Sequence, residues 1–363
     1  MIRFSLCMIV KNEAAVLDRI LAPMKEIADE IIVVDTGSTD NTKEIAYAYT
    51  QNVFDFPWTG DFAAARNYAC SKVSQEYWMW LDADDVISPG EQKKLRKLKE
   101  TLDPSVDIVM MRYVAGFDSS GNPSFSYYRE RLMKTNRGFQ WEGAVHETVA
   151  LCGNRFYSDI SIEHRKKGPG DPDRNLRIYE AMLDRGETLT PRHQFYFARE
   201  LFYHSRYPEA IETFQAFLQD PNGWLENKID ACLQLSYCYR YLGDADRQLA
   251  ALFYSFRFDR PRAEICCEIG RIKLEEKRYQ EAIYWYEQAL GIKQAAHSGA
   301  FIQNDCYDYI PYIQLCICYD KLSDYGKAWE YHIRAMTIKP DSPAVLQNQR
   351  YFERRLKECR EAL

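Results

Sequence analysis

No uninterrupted apolar run in the 363 residues approaches the roughly 18 needed to cross a bilayer. The apolar start, Ile2 to Val10, is short and runs into Lys11-Asn12-Glu13 without a small-residue cleavage site. It reads as a buried first strand and not as a secretory signal. Basic charge is also in short supply: 47 Lys and Arg stand against 53 Asp and Glu, a net charge of −6. That excludes bulk nucleic-acid binding, which draws most of its affinity from a basic face. Paired Cys-x-x-Cys spacing is missing among the 11 cysteines, which argues against a structural zinc site. Cys232, Cys238, Cys316 and Cys318 fall inside apolar periodic segments and read as reduced core residues. The expected setting is cytoplasmic. Glycine is sparse at 17, whereas tyrosine is plentiful at 26. Eight tyrosines precede residue 166 and 18 follow it, so the two halves are built differently.

Residues 1 to about 165 alternate apolar strands with helical spacing. Strands are expected at Phe4–Val10, Glu30–Val34 and Tyr77–Leu81, and helices at Glu13–Ile27, Asn41–Tyr49 and Phe62–Val73. Such alternation implies a parallel-dominated α/β sheet, whose ligands sit at the carboxyl ends of the strands. From Asp173 onward the pattern is helical. Ala210, Gln248, Ala282 and Ala328 occupy equivalent places in similar segments, at offsets of 38, 34 and 46 residues. A helix-pair repeat of about 34 residues is the tetratricopeptide period. The longest offset fits an insertion over Gln294–Asp305. The boundaries predicted are 1–170 for the α/β domain and 171–363 for the helical repeats. Tyr196, Tyr203, Tyr237, Tyr239, Tyr241, Tyr307, Tyr309 and Tyr312 fall near the expected first helices. They read as core aromatics and, in part, as a groove for an acceptor.

Four short motifs follow or precede strands. Leu81-Asp82-Ala83-Asp84-Asp85 places three carboxylates after a buried strand. Crowded like charges favour a hard divalent cation, though a solvated turn capping the helix at Ser88 explains them too. Val34-Asp35-Thr36-Gly37-Ser38-Thr39-Asp40-Asn41 follows another strand and opens a helix. Asp35 there can accept hydrogen bonds from a base or ribose. Val10-Lys11-Asn12-Glu13 and Ala65-Arg66-Asn67 complete the series.

These motifs, in this order, resemble glycosyltransferase family 2, which has the GT-A fold, over residues 1 to about 165. With a tetratricopeptide tail the chain is similar to the bacterial sublancin S-glycosyltransferase subgroup. The resemblance implies an inverting hexosyltransferase using a nucleotide-diphospho-sugar, expected to be a UDP-sugar, with Mg²⁺ or Mn²⁺. It implies that Asp35 binds the base and that Glu13, Arg66 and Lys11 line the base and ribose pocket. It implies Asp82 at the ribose or at metal-bound water, Asp84 as metal ligand, with Asp85 as its substitute, and His164 as a further ligand. Inversion needs a base that deprotonates the acceptor. The acidic Glu-Asp pair of many relatives is missing, and Gln140-Trp141-Glu142-Gly143-Ala144-Val145-His146-Glu147 stands there instead. Glu147 is the first candidate, with Glu142 and His146 as rivals. The partners expected are the donor and a peptide or protein acceptor held by the repeats, with a homodimer left open. Alternative readings are a saccharide or lipid-linked acceptor, or a repeat scaffold with an inactive transferase half.

Overall fold

The computed structural model describes residues 1–117, 121–168, 170–294 and 300–361. It divides into two compact units, residues 1–116 with 126–200, and residues 117–125 with 201–363.

The first unit is an α/β sheet. Its opening elements are β1 (Phe4–Val10), α1 (Leu17–Lys25), β2 (Glu30–Asp35), α2 (Thr42–Tyr47), β3 (Val53–Asp55), α3 (Phe62–Cys70) and β4 (Tyr77–Trp80). The two-residue β5 (Asp85–Val86), α4 (Pro89–Thr101), β6 (Ile108–Phe117) and β7 (Pro123–Lys134) follow. A separate pair, β8 (Trp141–Glu142) and β9 (Thr148–Val149), precedes β10 (Arg155–His164). Helices α5 (Arg174–Asp184) and α6 (Pro191–Tyr203) come next, and α6 belongs to this unit as far as Glu200. The strand order is β3-β2-β1-β4-β7-β6-β10-β5. β1 pairs parallel with both β2 and β4, and β7 is antiparallel to β4.

The apolar runs explain why β1, β2 and β4 lie at the centre. Alternate side chains point to opposite faces, and both faces are covered. Phe4, Leu6, Met8, Ile31, Val33, Tyr77 and Met79 join Leu17, Ile20, Leu21 and Met24 of α1 in one core. Cys7, Ile32, Val34, Trp78 and Trp80 join Ala63 and Ala69 of α3 in the other. Each such large side chain contributes about 1.5–3 kcal/mol on burial.

Helix α1 starts at Leu17 and not at Glu13. The segment between is a turn whose amides are used elsewhere: Glu13 N–H donates to Thr42 Oγ1 and Ala14 N–H to Asp40 Oδ2. Those bonds tie the loop after β1 to the loop after β2. Pro89 at the start of α4, with Ser88 Oγ accepting from Glu91 N–H, gives the helix expected there its cap.

The second unit is a succession of helices: α7 (Tyr207–Gln219), α8 (Leu225–Tyr241), α9 (Ala245–Tyr254), α10 (Ala263–Glu275), α11 (Tyr279–Gly291), α12 (Tyr309–Lys321), α13 (Tyr325–Ile338) and α14 (Pro343–Glu361). Ala210, Gln248, Ala282 and Ala328 are all buried. The backbone repeats at the same intervals. Ser205, Gly243, Lys277 and Ser323 have φ of +60°, +74°, +59° and +63°, at separations of 38, 34 and 46 residues. Each ends one helix in the left-handed conformation and lets the next fold back. Within the pair α10–α11, Gly270 permits close approach: a Cβ there would lie 2.9 Å from the Tyr286 ring.

A short strand at Ile302–Gln303 and 3₁₀ turns at Ser255–Arg257 and Asn304–Tyr307 interrupt the expected helical pattern. Within the predicted insertion, 295–299 lie outside the described residues. Cys232, Cys238, Cys266, Cys316 and Cys318 are buried with free thiols, and burial pushes each up to about 12. Among the described residues, no helix is long and apolar enough to cross a membrane.

Candidate active site

The carboxyl ends of β1, β2 and β4 fall along one edge, because Val10 is in register with Asp35 and Cys7 with Trp80. Asp35 ends β2 and is 2% exposed. Its Oδ1 accepts from the amides of Gly37 and Ser38, both at 2.9 Å, while its buried Oδ2 has no protein partner. The first two bonds fix the carboxylate, and the orphaned oxygen is the one a ligand donor would satisfy. Gly37 has φ +100°, which an L side chain would resist. Across the edge, Asn12 adopts φ +55° and its Oδ1 accepts from Thr39 N–H at 2.7 Å. Lys11 is exposed, and Glu13 is half-buried. Burial lifts the Glu13 carboxyl to about 7, helped by repulsion from Asp84, Asp82 and Asp40, with Lys166 opposing.

The acidic turn after β4 meets the far end of the unit. His164 stands opposite Asp85 in the antiparallel β10–β5 ladder. Its Nδ1 lies 3.2 Å from Asp84 Oδ1 and 3.8 Å from Asp85 Oδ1. One donor atom from each of Asp84, Asp85 and His164 lies within 4.8 Å of the others. Asp85 Oδ1 and His164 Nδ1 are both buried without a hydrogen-bonding partner. At 3.8 Å their separation suits an ion pair but exceeds hydrogen-bonding distance. Two carboxylates and an imidazole with unsatisfied atoms form a donor set that fits Mg²⁺ or Mn²⁺. The two carboxylates hold the His164 imidazole well above its ordinary range, at about 10.

Asp85 is fully buried, and its Oδ2 takes two donors: Arg131 Nη1 at 3.1 Å and the Asp82 amide at 3.0 Å. The Arg131 guanidinium is 3.8 Å from the Trp80 ring centroid and 4.5 Å from that of Tyr113. From α1, Arg19 Nη2 donates to the carbonyls of Asp84 and Arg165, at 2.8 and 2.9 Å, and so pins both arms of the site.

Arg66 on α3 connects the acidic turn to the segment before β9. Its Nη2 reaches Asp82 Oδ1 at 2.8 Å and its Nε reaches Glu147 Oε1 at 2.6 Å. The guanidinium lies over Trp80 and Trp141, at 4.7 and 5.0 Å. Asp61 caps the helix that carries it, accepting from Ala64 N–H at 2.9 Å. Burial pushes Asp82 and Glu147 up, but their cationic neighbours prevail. Arg66 and Arg131 bring Asp82 down to about 2, and Arg66 and Arg129 hold Glu147 below its usual range.

Of the three candidate bases, only Glu147 is tied to Arg66. Glu142 is exposed on β8. His146 faces helix α6, with Nε2 3.0 Å from Glu200 Oε1 and its ring stacked on Tyr196. Tyr196, expected near a repeat groove, thus lies within the first unit. In the second unit Tyr207 and Tyr241 stack at 4.9 Å, and Tyr241 is exposed, while Tyr239 is buried. Trp80 and Trp141 are buried and meet edge to face at 5.0 Å. Sequence reasoning missed Asn12, Arg19, Arg131 and Glu200. Only Asn12, beside Lys11 and Glu13, carried a local signal.

The sheet with its acidic strand ends has a GT-A-like α/β architecture, and helical repeats follow it in the chain. Residues 5–165 match the family model for glycosyl transferase family 2, and residues 263–295, which span α10 and α11, match a tetratricopeptide repeat. The chain carries a family 2 glycosyltransferase domain and a C-terminal tetratricopeptide repeat. The SPbeta prophage-derived glycosyltransferase SunS of Bacillus subtilis (strain 168) is 29% identical over 223 residues, covering 56% of this chain and 50% of SunS. The TPR repeat-containing protein Synpcc7942_0270 of Synechococcus elongatus is 45% identical over 87 residues, or 24% of this chain and 22% of that protein. This chain therefore spans half or less of these relatives. The crystal structure of S. aureus TarS 1-349 covers 70% of this chain and 91% of its own, at 15% identity and a TM-score of 0.39.

Proposed function

We propose that the protein is an inverting, metal-dependent glycosyltransferase that moves a sugar from a UDP-sugar to a peptide or protein side chain. The observation that carries this reading is the convergence of Asp84, Asp85 and His164, linked through Asp82 and Arg66 to Glu147. Asp35 receives the base, and Glu13, Arg66 and Lys11 line the base and ribose pocket. Asp82 faces the ribose or metal-bound water. Asp84 and His164, with Asp85 beside them, would hold Mg²⁺ or Mn²⁺, which supplies positive charge for the departing diphosphate. Glu147, kept ionised by Arg66 and Arg129, takes the proton of the acceptor as the acceptor attacks. Glu142 and His146 are weaker candidates, one exposed and the other engaged with Glu200. The catalytic region is assigned to residues 1–170 and acceptor binding to the repeats within 171–363. The setting proposed is cytoplasmic.

A thermal-shift series with UDP-glucose, UDP-N-acetylglucosamine and GDP-mannose, each with Mn²⁺ or with EDTA, tests the reading. A ligand at about 100 times its Kd adds about 2.7 kcal/mol to stability. Stabilisation by a UDP-sugar only when Mn²⁺ is present is expected. No stabilisation by either UDP-sugar would overturn the proposal.

A further inference from the structure

The turn from Gly143 to Glu147 is built from unfavourable backbone and held from outside. Gly143 has φ +99° and His146 has φ +51°. The left-handed conformation costs a residue other than glycine roughly 1–2 kcal/mol, so the surroundings must impose it. They do so on several sides of His146. The imidazole lies on Tyr196 with centroids 4.1 Å apart and planes 13° from parallel. Its Nε2 is 3.0 Å from Glu200 Oε1, and Asn175 Nδ2 donates to that same oxygen at 3.0 Å. Arg192 Nε donates to the His146 carbonyl at 3.0 Å. A Cβ on Gly143 would come within 2.8 Å of His193 Nε2, so only glycine lets the turn approach α6 this closely. At the near end, Phe62 N–H donates to the Ala144 carbonyl at 2.8 Å.

Asn175, Arg192, His193, Tyr196 and Glu200 all lie beyond residue 165, where the match to the transferase family ends. They nonetheless belong to the same compact unit as the turn. We infer that Glu200 and His146 are positioning residues for Glu147. Glu200 fixes the imidazole, the imidazole fixes the left-handed backbone at 146, and that backbone aims the next side chain at Arg66. This inference rests on the assignment of Glu147 as the base. It extends the catalytic machinery into α6, a helix that sequence periodicity groups with the repeats. His146 has one nitrogen engaged by Glu200 and one ring face covered by Tyr196, an arrangement for holding and not for exchanging protons with an acceptor.

The test uses full-length variants and Mn²⁺-dependent hydrolysis of UDP-glucose or UDP-N-acetylglucosamine, with water as acceptor. His146→Gly permits the observed backbone without strain but removes the imidazole that holds it there, so the fold is kept while the turn is freed. It is expected to lower kcat about 100-fold, the effect of misplacing a catalytic group by about 1 Å, without changing KM for the donor. Glu200→Ala should give the same loss, and the double variant no further loss. His146→Gln places an amide nitrogen where Nε2 stands and can still hydrogen-bond Glu200, so it should recover most of kcat. If Glu200→Ala fails to fold, Tyr196→Leu tests the same support and should lower kcat about tenfold. Unchanged kcat in His146→Gly would overturn the inference. So would a His146→Gln enzyme as slow as His146→Gly, since the imidazole itself would then do the chemistry. Glu147→Gln separates the two levels. If it keeps full kcat, the assignment of the base fails. If it is inactive while His146→Gly and Glu200→Ala are normal, only the positioning role fails.

Discussion

Arg131 Nη1 donates to Asp85 Oδ2 at 3.1 Å, and solvent reaches neither side chain. The pair lies directly behind the Asp84–His164 contact and leaves Asp85 Oδ1 without a donor. Arg131→Met would strand a buried carboxylate, and removing one partner of such a pair costs about 3–5 kcal/mol. Denaturant unfolding of the metal-free protein should show that loss. Combining it with Asp85→Asn should recover part of the stability, because the stranded charge is then gone.

Asp84→Ala is expected to abolish metal-dependent hydrolysis or transfer of a nucleotide sugar, and to weaken Mn²⁺ binding measured by calorimetry. Loss of a supporting partner alone costs roughly 10–100-fold in metal affinity, so loss of a ligand should cost at least that. His164→Ala should weaken Mn²⁺ in the same direction. Full activity in Asp84→Ala would refute the metal assignment.

Glu13 makes stability depend on pH. Its carboxyl is raised to about 7 in the folded protein, first by burial and then by Asp84, Asp82 and Asp40. The folded state thus binds this proton more tightly than the unfolded state does. The stabilisation is complete below the unfolded value near 4.5 and is lost as pH rises through 7. Unfolding free energy, measured in EDTA, should show a falling component from about pH 4.5 to 7. Glu13→Gln should remove it; an unchanged slope would place the titration elsewhere.

Gly270→Val should loosen the α10–α11 pair. A Cβ would meet the Tyr286 ring at 2.9 Å, and neither helix can move apart without exposing Cys266, Ala282 and Ile283. Overpacking of this kind costs about 1–3 kcal/mol. Hydrogen exchange should quicken over residues 263–291 and leave the sheet unit unaffected.

The strands, the helical repeats and the acidic edge were legible because each rests on a local pattern. Phe4–Val10 is a continuous apolar run, and Asp35 and Asp82 to Asp85 follow strands directly. The repeat intervals survive even where Gln248 replaces alanine, since the turns keep their left-handed residue. What stayed hidden depends on contacts between distant segments. Arg131 is one arginine in a strand that also holds Arg129, and nothing near it says that it is fully buried. Glu200 and His146 are 54 residues apart, and only the packing of α6 joins them. Helix α1 begins late because its first amides bond to Asp40 and Thr42, an effect no periodicity within the helix reveals.

The ladder contact between His164 and Asp85 closes an excursion of 79 residues. Loop-closure entropy rises slowly with length, by about 0.6 kcal/mol per doubling, but it must be met before a distant pairing gives anything back. The two-residue β5 offers little pairing in return, so this junction belongs among the last parts of the sheet to form. A divalent ion bridging Asp84, Asp85 and His164 would act as a clasp on that junction, binding the finished sheet and not its precursors. Refolding experiments should then find the ion slowing unfolding while leaving the early rise of helical signal unchanged.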